Sequence, residues 1–312
     1  MAERGTAHDA LAGLWVPLAT PFDGRDAPAL PALVARARAV IADGARGVVL
    51  AGTTGEGPSL TVAERRALLD GLLAAGIEPA RIVAGIACPA LGDAVELARH
   101  AGRAGVAAVL LMPPFYFKAV TPRGVGRAID AVLDRAPGMP PVLLYHFPQL
   151  SGVPLPVDLV AELAHRHGPR IAGLKDSEGD PARTFRMIDR LPDLAVFPGT
   201  EAYLAEACRR GAAGVISATA NVAAAPIAAA LAAFADGDAG RFAALAGEVR
   251  KRRLALERWP MIAAIKQLLA HTTGDPAWAR LRPPLEPLDR AAREELLAWW
   301  DRAGGQPGRN IS

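Results

Sequence analysis

A closed (β/α)₈ barrel followed by a C-terminal helical extension is the fold this sequence predicts, and three observations predict it. Eight short apolar runs recur along the chain, each too brief for a helix and many rich in β-branched residues. Amphipathic stretches of Ala, Leu and Arg fill the gaps between them. The length of 312 residues exceeds an ordinary domain but suits one α/β barrel with an appendage.

The elements follow in order. A strand over Trp15–Phe22 leads to a helix over Pro28–Asp43, which stops at Gly44, a residue free to take the left-handed conformation that ends helices. The run Gly47–Thr54 precedes a helix over Thr61–Ala75, where Thr61 and Glu64 form a capping box and Gly76 supplies the stop. Strand Arg81–Ile86 pairs with helix Leu91–Ala104, closed by Gly105, and strand Ala107–Phe115 with helix Thr121–Arg135. Strand Pro141–Phe147 is followed by helix Pro156–His167, and strand Ile171–Asp176 by helix Asp180–Leu191, with Pro181 in its first turn. Strands Ala195–Glu201 and Gly214–Asn221 alternate with helices over Glu201–Arg210 and 223–236. Runs such as GVVL, AAVLLM and PVLLY are apolar on both faces, as parallel strands covered by helices must be. A right-handed parallel series of eight closes more naturally than it stays open. After Asn221 only helices remain, at 239–257, 260–271 and 289–302, with Pro283, Pro284 and Pro287 separating the last two. The barrel is therefore assigned to 1–236 and the extension to 237–312, whose tail GGQPGRNIS is expected to fray.

Composition narrows the function classes. Hydrophobic residues make up 51% and charged residues 21%, which fits a folded globular chain and excludes disorder. Cys88 and Cys208 stand far apart with no CxxC spacing, so they read as core residues rather than as a zinc site or disulfide framework. The net charge of +3 tempts a nucleic-acid reading, but arginines are interspersed with acidic residues. The one basic run, Arg250 to Arg253, lies in a helix with Glu248 and Glu257 and reads as a solvated face or an oligomer contact. No segment is apolar for long enough to span a membrane, and the first ten residues lack the apolar core of a signal peptide, so a cytoplasmic location is expected.

In such a barrel, chemistry gathers where strands end. The ends here carry Gly52-Thr53-Thr54-Gly55-Glu56-Gly57, Pro113 to Tyr116, Tyr145 to Pro148, Lys175-Asp176-Ser177, Gly199-Thr200-Glu201 and Ser217 to Asn221. Only four lysines exist, Lys118, Lys175, Lys251 and Lys266, in a chain that otherwise uses arginine. A lysine at the end of an apolar strand offers what arginine cannot, an amine that can shed its proton and attack a carbonyl to form an imine. The alternative is that Lys175 is an ion-pair partner of Asp176 or Glu56, whereas Lys118 lies further along a loop and reads as exposed. The glycine-rich turn 52–57 lacks the spacing of nucleotide-binding loops, so it reads as a cradle for a small carboxylate or as a plain tight turn. Tyr116 and Tyr145 stand at strand ends, either as proton relays or as packing elements.

Taken in order, GTTGEG at 52–57, PPFY at 113–116, YHFP at 145–148, GLKDSEGD at 173–180 and GVISATANV at 214–222 resemble the dihydrodipicolinate synthase/N-acetylneuraminate lyase superfamily of pyruvate-dependent class I aldolases. The likeness runs from about Trp15 into the C-terminal helices. It implies that Lys175 forms the imine with pyruvate and that Tyr145 shuttles protons. It further implies that Thr53 links Tyr145 to Tyr116 of a neighbouring subunit, so that the active protein is a dimer or tetramer. Thr54 would hold the pyruvate carboxylate, Ile216 would lie beside the imine, and Ser177 and Gly199 would touch the rest of the substrate.

The departures bear on the substrate. No arginine follows Pro148 where dihydrodipicolinate synthases bind aspartate semialdehyde, and PQLSG resembles sialic-acid lyases and sugar-acid aldolases. Of the acidic pair that the sialic-acid branch implies after the strand-7 glycine, Glu201 matches one member and Ala202 replaces the other, while His146 stands where asparagine is usual. The expected activity is cleavage of a 4-hydroxy-2-oxo acid such as a 2-keto-3-deoxy sugar acid. Dihydrodipicolinate synthase (4-hydroxy-tetrahydrodipicolinate synthase), N-acetylneuraminate lyase or a related dehydratase are the alternatives, and a non-catalytic 2-oxo-acid sensor is the rival of another class. The resemblance implies no metal and no organic cofactor, because the imine serves as the electron sink.

Overall fold

The computed structural model describes residues 6–304. The chain runs α1 (Thr6–Leu11), β1 (Gly13–Pro17), α2 (Leu30–Ala42), β2 (Gly47–Leu50), α3 (Val62–Ala74), β3 (Ile82–Ile86), α4 (Leu91–Ala104), β4 (Ala108–Leu111), α5 (Pro122–Arg135), β5 (Val142–His146), α6 (Pro148–Ser151), α7 (Val157–His167), β6 (Ile171–Asp176), α8 (Pro181–Arg190), β7 (Ala195–Pro198), α9 (Leu204–Arg210), β8 (Gly214–Ile216), α10 (Ala220–Ala235), α11 (Ala239–Leu256), α12 (Met261–Thr273) and α13 (Arg290–Arg302). From β1 to β7 each strand pairs in parallel with the next, and β1 also pairs with β8. The remaining seam, between β7 and β8, carries a backbone bond from Ala213 N–H to the Val196 carbonyl at 3.0 Å. The expected (β/α)₈ barrel is therefore the fold.

Alternation along each strand divides the core in two. Val48, Leu50, Val109, Leu111, Val142 and Leu144 face the helices, while Trp15, Val49, Leu110, Leu143, Tyr145 and Ile216 fill the barrel interior. The turn chemistry read from the sequence holds: Thr61 and Glu64 form the reciprocal cap of α3, Asp180 caps α8, and Gly44, Gly76 and Gly105 take positive φ. Cys88 and Cys208 are free and buried.

The strands are shorter than the apolar runs suggest, because the C-terminal part of each run leaves the ladder to form the mouth. Leu18 to Phe22, Met112 to Phe115 and Gly199 to Glu201 are loop, and Ser217 leads directly into α10, which has a kink at Ala223. Helix α1 has no amphipathic signature, yet it caps the far end of the barrel, where the Trp15 indole donates to the Leu11 carbonyl at 2.7 Å. The C-terminal helices build a separate core around Trp259, Trp278, Leu296 and Trp300 and join the barrel at the β1 loop, where Phe22 N–H donates to the Ala277 carbonyl. The basic run on α11 is more than a solvated face. Arg252 stacks on Trp300 at 5.5 Å, Arg250 donates to the Ala202 carbonyl, and Arg253 binds Glu257. Apart from Gly304, the tail GGQPGRNIS lies outside the described residues.

Candidate active site

The position of Lys175 depends on an irregularity between β5 and β6. The register begins with Val142 opposite Ile171 and then jumps to Leu143 opposite Gly173, leaving Ala172 as one extra residue on β6. An unbroken register would set Lys175 beside His146 on the outer face, since a slip of one residue exchanges the faces of a strand. The bulge instead pairs Lys175 with Tyr145 and Asp176 with His146. Gly173 permits the close approach that follows, because a Cβ there would lie 2.1 Å from the Ala195 carbonyl oxygen.

Inside the barrel, Lys175 and Tyr145 are 5% and 3% exposed. Lys175 Nζ donates to the Tyr145 phenol oxygen at 3.3 Å and lies 4.4 Å from the centre of its ring. The phenol also meets Thr53 Oγ1 at 3.1 Å, so three polar groups form one chain from amine to hydroxyl. Thr53 belongs to the glycine-rich turn after β2, which is held by Glu56 N–H to the Thr53 carbonyl, Gly57 N–H to the Gly52 carbonyl and the Thr20 hydroxyl to the Gly55 carbonyl. Thr54 is buried in the same turn, and Ile216 packs within the interior cluster that holds Tyr145.

The two carboxylates considered as partners of Lys175 are engaged elsewhere. Asp176 accepts from Arg183 Nη1 and from the Thr184 hydroxyl, both at 3.0 Å. Glu56 pairs with Lys266 and with the backbone N–H of Arg282. Among the described residues, no ion pair involves Lys175, so the ion-pair alternative gives way and its nearest polar partner is the phenol.

Ser177 and Gly199 sit side by side on the rim, so tightly that a Cβ on Gly199 would lie 2.2 Å from Ser177 Oγ. Glu201 is wholly buried; its Oε2 accepts from the Ser217 hydroxyl at 2.8 Å, while its Oε1 has no hydrogen-bond partner. Burial pushes its carboxyl above the ordinary range, against the pull of Arg253. Tyr116 is not brought to the lysine. It is 75% exposed on the loop after β4, with its ring edge-on to Phe117 at 5.3 Å. Lys118 is exposed as expected, and its ammonium donates to the Ser151 carbonyl at 2.7 Å, tying that loop to α6.

His146 has a structural explanation. Its Nδ1 accepts from the buried Leu155 N–H at 3.0 Å, which places the ring proton on Nε2, 3.1 Å from Glu178 Oε2. Burial and then Arg183 hold its pKa below the ordinary imidazole value. The ligand atoms of His146, Asp176 and Glu178 lie within 4.8 Å of one another, a spacing that suits a metal ion. Arg183 already bridges both carboxylates, at 3.0 Å and 3.1 Å, and supplies the cluster's positive charge.

Two buried cations were not singled out from the sequence as working residues. Lys266 is wholly buried on α12, and the scarcity of lysine that draws attention to Lys175 applies to it equally. Arg65 on α3 is buried with no carboxylate partner among the described residues and donates to the carbonyls of Gly57, Leu60 and Ala87. Its position after a capping box gives no sign of that role.

The model of the dihydrodipicolinate synthetase family matches residues 10–301. An uncharacterized DapA-like lyase of Chloroflexus aurantiacus is 38% identical over 83% of this chain and 88% of its own. The 4-hydroxy-tetrahydrodipicolinate synthase 1 of Streptomyces coelicolor is 33% identical, covering 94% of both chains. Among solved structures, the chloride-inhibited dihydrodipicolinate synthase of Acinetobacter baumannii complexed with pyruvate superposes with a TM-score of 0.86 at 28% identity, over 95% of this chain and 99% of that one. Among the described residues no helix is long and apolar enough to cross a membrane. Barrel, strand-end motifs and whole-chain likeness agree: the protein belongs to the dihydrodipicolinate synthetase family of lyases.

Proposed function

We propose that the protein is a class I aldolase in which Lys175 forms an imine with a 2-oxo acid and the C3–C4 bond of a 4-hydroxy-2-oxo acid is broken. The observation that carries this reading is the chain Lys175 Nζ, Tyr145 Oη and Thr53 Oγ1, with links of 3.3 Å and 3.1 Å in a buried site. The free amine attacks the C2 carbonyl, and the carbinolamine loses water as the phenol returns a proton to the departing hydroxyl. Tyr145 then takes the proton of the C4 hydroxyl, the C3–C4 bond breaks, and its electron pair enters the protonated imine to give an enamine and an aldehyde. Protonation at C3 and hydrolysis by water release pyruvate and restore the amine. Thr54 and the peptide N–H groups of 52–57 are the proposed cradle for the carboxylate, beside Ile216.

The aldehyde half is proposed to be polyhydroxylated, as in a 2-keto-3-deoxy sugar acid. The polar groups on the β6 to β8 rim, Ser177, Thr200 and Glu201, suit hydroxyl groups, and no arginine lies between Tyr145 and Val160 to bind a second carboxylate. Ser177 and Gly199, packed side by side on that rim, are proposed to touch the rest of the substrate. Tyr116, exposed on its own chain, is proposed to complete the site of a neighbouring subunit in a dimer or tetramer.

A second reading, 4-hydroxy-tetrahydrodipicolinate synthase, is favoured by the relatives that carry this name and by Lys118, whose ammonium lies against α6 where a carboxylate-binding cation would serve. Pyruvate release across a panel of 2-keto-3-deoxy acids, run beside condensation of pyruvate with aspartate semialdehyde, separates the two. A higher kcat/KM for aspartate semialdehyde would replace the first reading by the second, and inactivity with both would support a 2-oxo-acid sensor.

A further inference from the structure

The glycine-rich turn is held by residues more than two hundred positions away in sequence. Glu56, near its end, is buried and adopts a left-handed conformation at φ 54°. Its Oε1 pairs with Lys266 of α12, and its Oε2 accepts from the backbone N–H of Arg282 at 2.9 Å. Lys266 lies 4.4 Å from the centre of the Phe22 ring, and Arg282 stacks on the same ring at 4.8 Å while its guanidinium reaches Glu64 on α3. Both members of the pair have wholly buried side chains.

Such a pair is an unusual choice for stability alone, because removing two charges from water offsets much of their attraction. Its location suggests another use. The Glu56 N–H closes onto the Thr53 carbonyl, so the anchoring of Glu56 fixes the turn that aims the Thr53 hydroxyl at Tyr145. A loop meant to receive a carboxylate also carries a buried carboxylate of its own, and the two would repel strongly at low dielectric. Lys266 and the Arg282 N–H engage both oxygens of Glu56, so that its carboxylate is fixed and its charge compensated.

We infer that the buried Lys266–Glu56 pair is a positioning device for the substrate carboxylate, which makes the C-terminal helical extension a working part of the catalytic site. This inference rests on the proposed imine chemistry. Neither residue touches the reacting atoms; both act through Thr53, Thr54 and the backbone between them.

The test is borohydride trapping with pyruvate, scored as the pyruvate concentration that half-saturates Lys175, on the unmodified protein, the double variant E56Q/K266M and E56D. Removing both charges leaves no unpaired buried ion, so the double variant should fold with a similar melting temperature. Glu56→Asp keeps the charge, shortens its reach by one methylene and serves as the second probe if the double variant does not fold. The expected result is labelling of Lys175 at saturating pyruvate in every folded variant, with half-saturation raised about tenfold or more. A merely structural pair would move melting temperature and leave half-saturation within about twofold, and that result in a folded variant overturns the inference alone. Absence of any trapped adduct in the unmodified protein overturns the imine reading and this inference with it.

Discussion

Tyr145 and Lys175 face each other across adjacent strands, with the amine 3.3 Å from the phenol oxygen and 4.4 Å from the ring centre. In the proposed mechanism the phenol passes protons to and from the atoms that the amine attacks or releases. Replacing Tyr145 by Phe keeps the packing and removes the relay. The expected loss in kcat/KM is about 10²- to 10⁴-fold, with little change in melting temperature. Thr53→Val should give a smaller loss in the same direction. Steady-state kinetics with thermal melts check both, and a Tyr145→Phe enzyme of normal activity contradicts the relay.

The bulge at Ala172 yields a prediction about backbone rather than side chains. Gly173→Ala drives a Cβ against the Ala195 carbonyl, at 2.1 Å, with no room for either strand to yield. Overpacking of this kind costs about 1–3 kcal/mol or more, read as a lower urea midpoint. Inserting one alanine between Gly173 and Leu174 should abolish activity although every proposed catalytic side chain remains, because the added residue sets Lys175 opposite His146 and turns it towards the helices. An active insertion variant would show that the register does not decide where the lysine points.

His146 gives a pH dependence with a definite sign. Its pKa is lowered on folding because the ring is buried, with Arg183 adding to the effect. The unfolded chain therefore binds the proton more readily, so stability falls as pH drops below the ordinary imidazole value of 6.5. The groups facing the ring are Asp176 and Glu178 on β6 and its loop and Arg183 on α8, and the Leu155 N–H occupies Nδ1. His146→Asn should flatten the loss of melting temperature between about pH 6.5 and 5. A variant that loses stability as steeply as the unmodified protein would assign the acid sensitivity to another group.

Glu201 gives the opposite sign. Its carboxyl is raised by burial, so its contribution to stability is full below the ordinary value of 4.5 and is lost as pH rises through the folded value. Glu201→Gln keeps the bond to Ser217 and removes this loss. Melting temperatures of variant and parent should separate progressively above pH 4.5, with the variant higher; parallel curves would show that the carboxyl is not destabilised by its surroundings.

Much of this was legible in the sequence. The eight strands followed from the apolar runs, and Lys175, Tyr145 and Thr53 could be assigned to one mouth because strand ends in a parallel barrel converge. Their connection to one another was not legible, since it depends on a bulge that adds one residue without any change in hydrophobic pattern. Helix α1 was missed because its six residues hold a single large apolar side chain, Leu11. Lys266 was passed over because a lysine in an apolar helix carries no signal of its buried partner 210 residues away. The ion-pair alternative for Lys175 was tenable from sequence alone, and it failed only when Arg183 and Lys266 were seen to hold the two carboxylates.

The role proposed for Tyr116 can be tested by mixing subunits. If the tyrosine works across a subunit boundary, Lys175→Ala and Tyr116→Phe proteins, each impaired alone, should regain activity when dissociated and reassembled together. The hybrid then holds one site with an intact lysine and an intact neighbouring tyrosine. No gain on mixing, or a fully active monomer by light scattering, contradicts the shared site.

The central claim is that Lys175 is the imine-forming nucleophile, and borohydride reduction in the presence of pyruvate tests it most directly. Mass spectrometry of the digested protein should find one reduced pyruvate per chain, on the peptide carrying Lys175, with none on Lys118, Lys251 or Lys266 and none in the Lys175→Ala variant. A label on another lysine, or no label with any 2-oxo acid, would contradict the account.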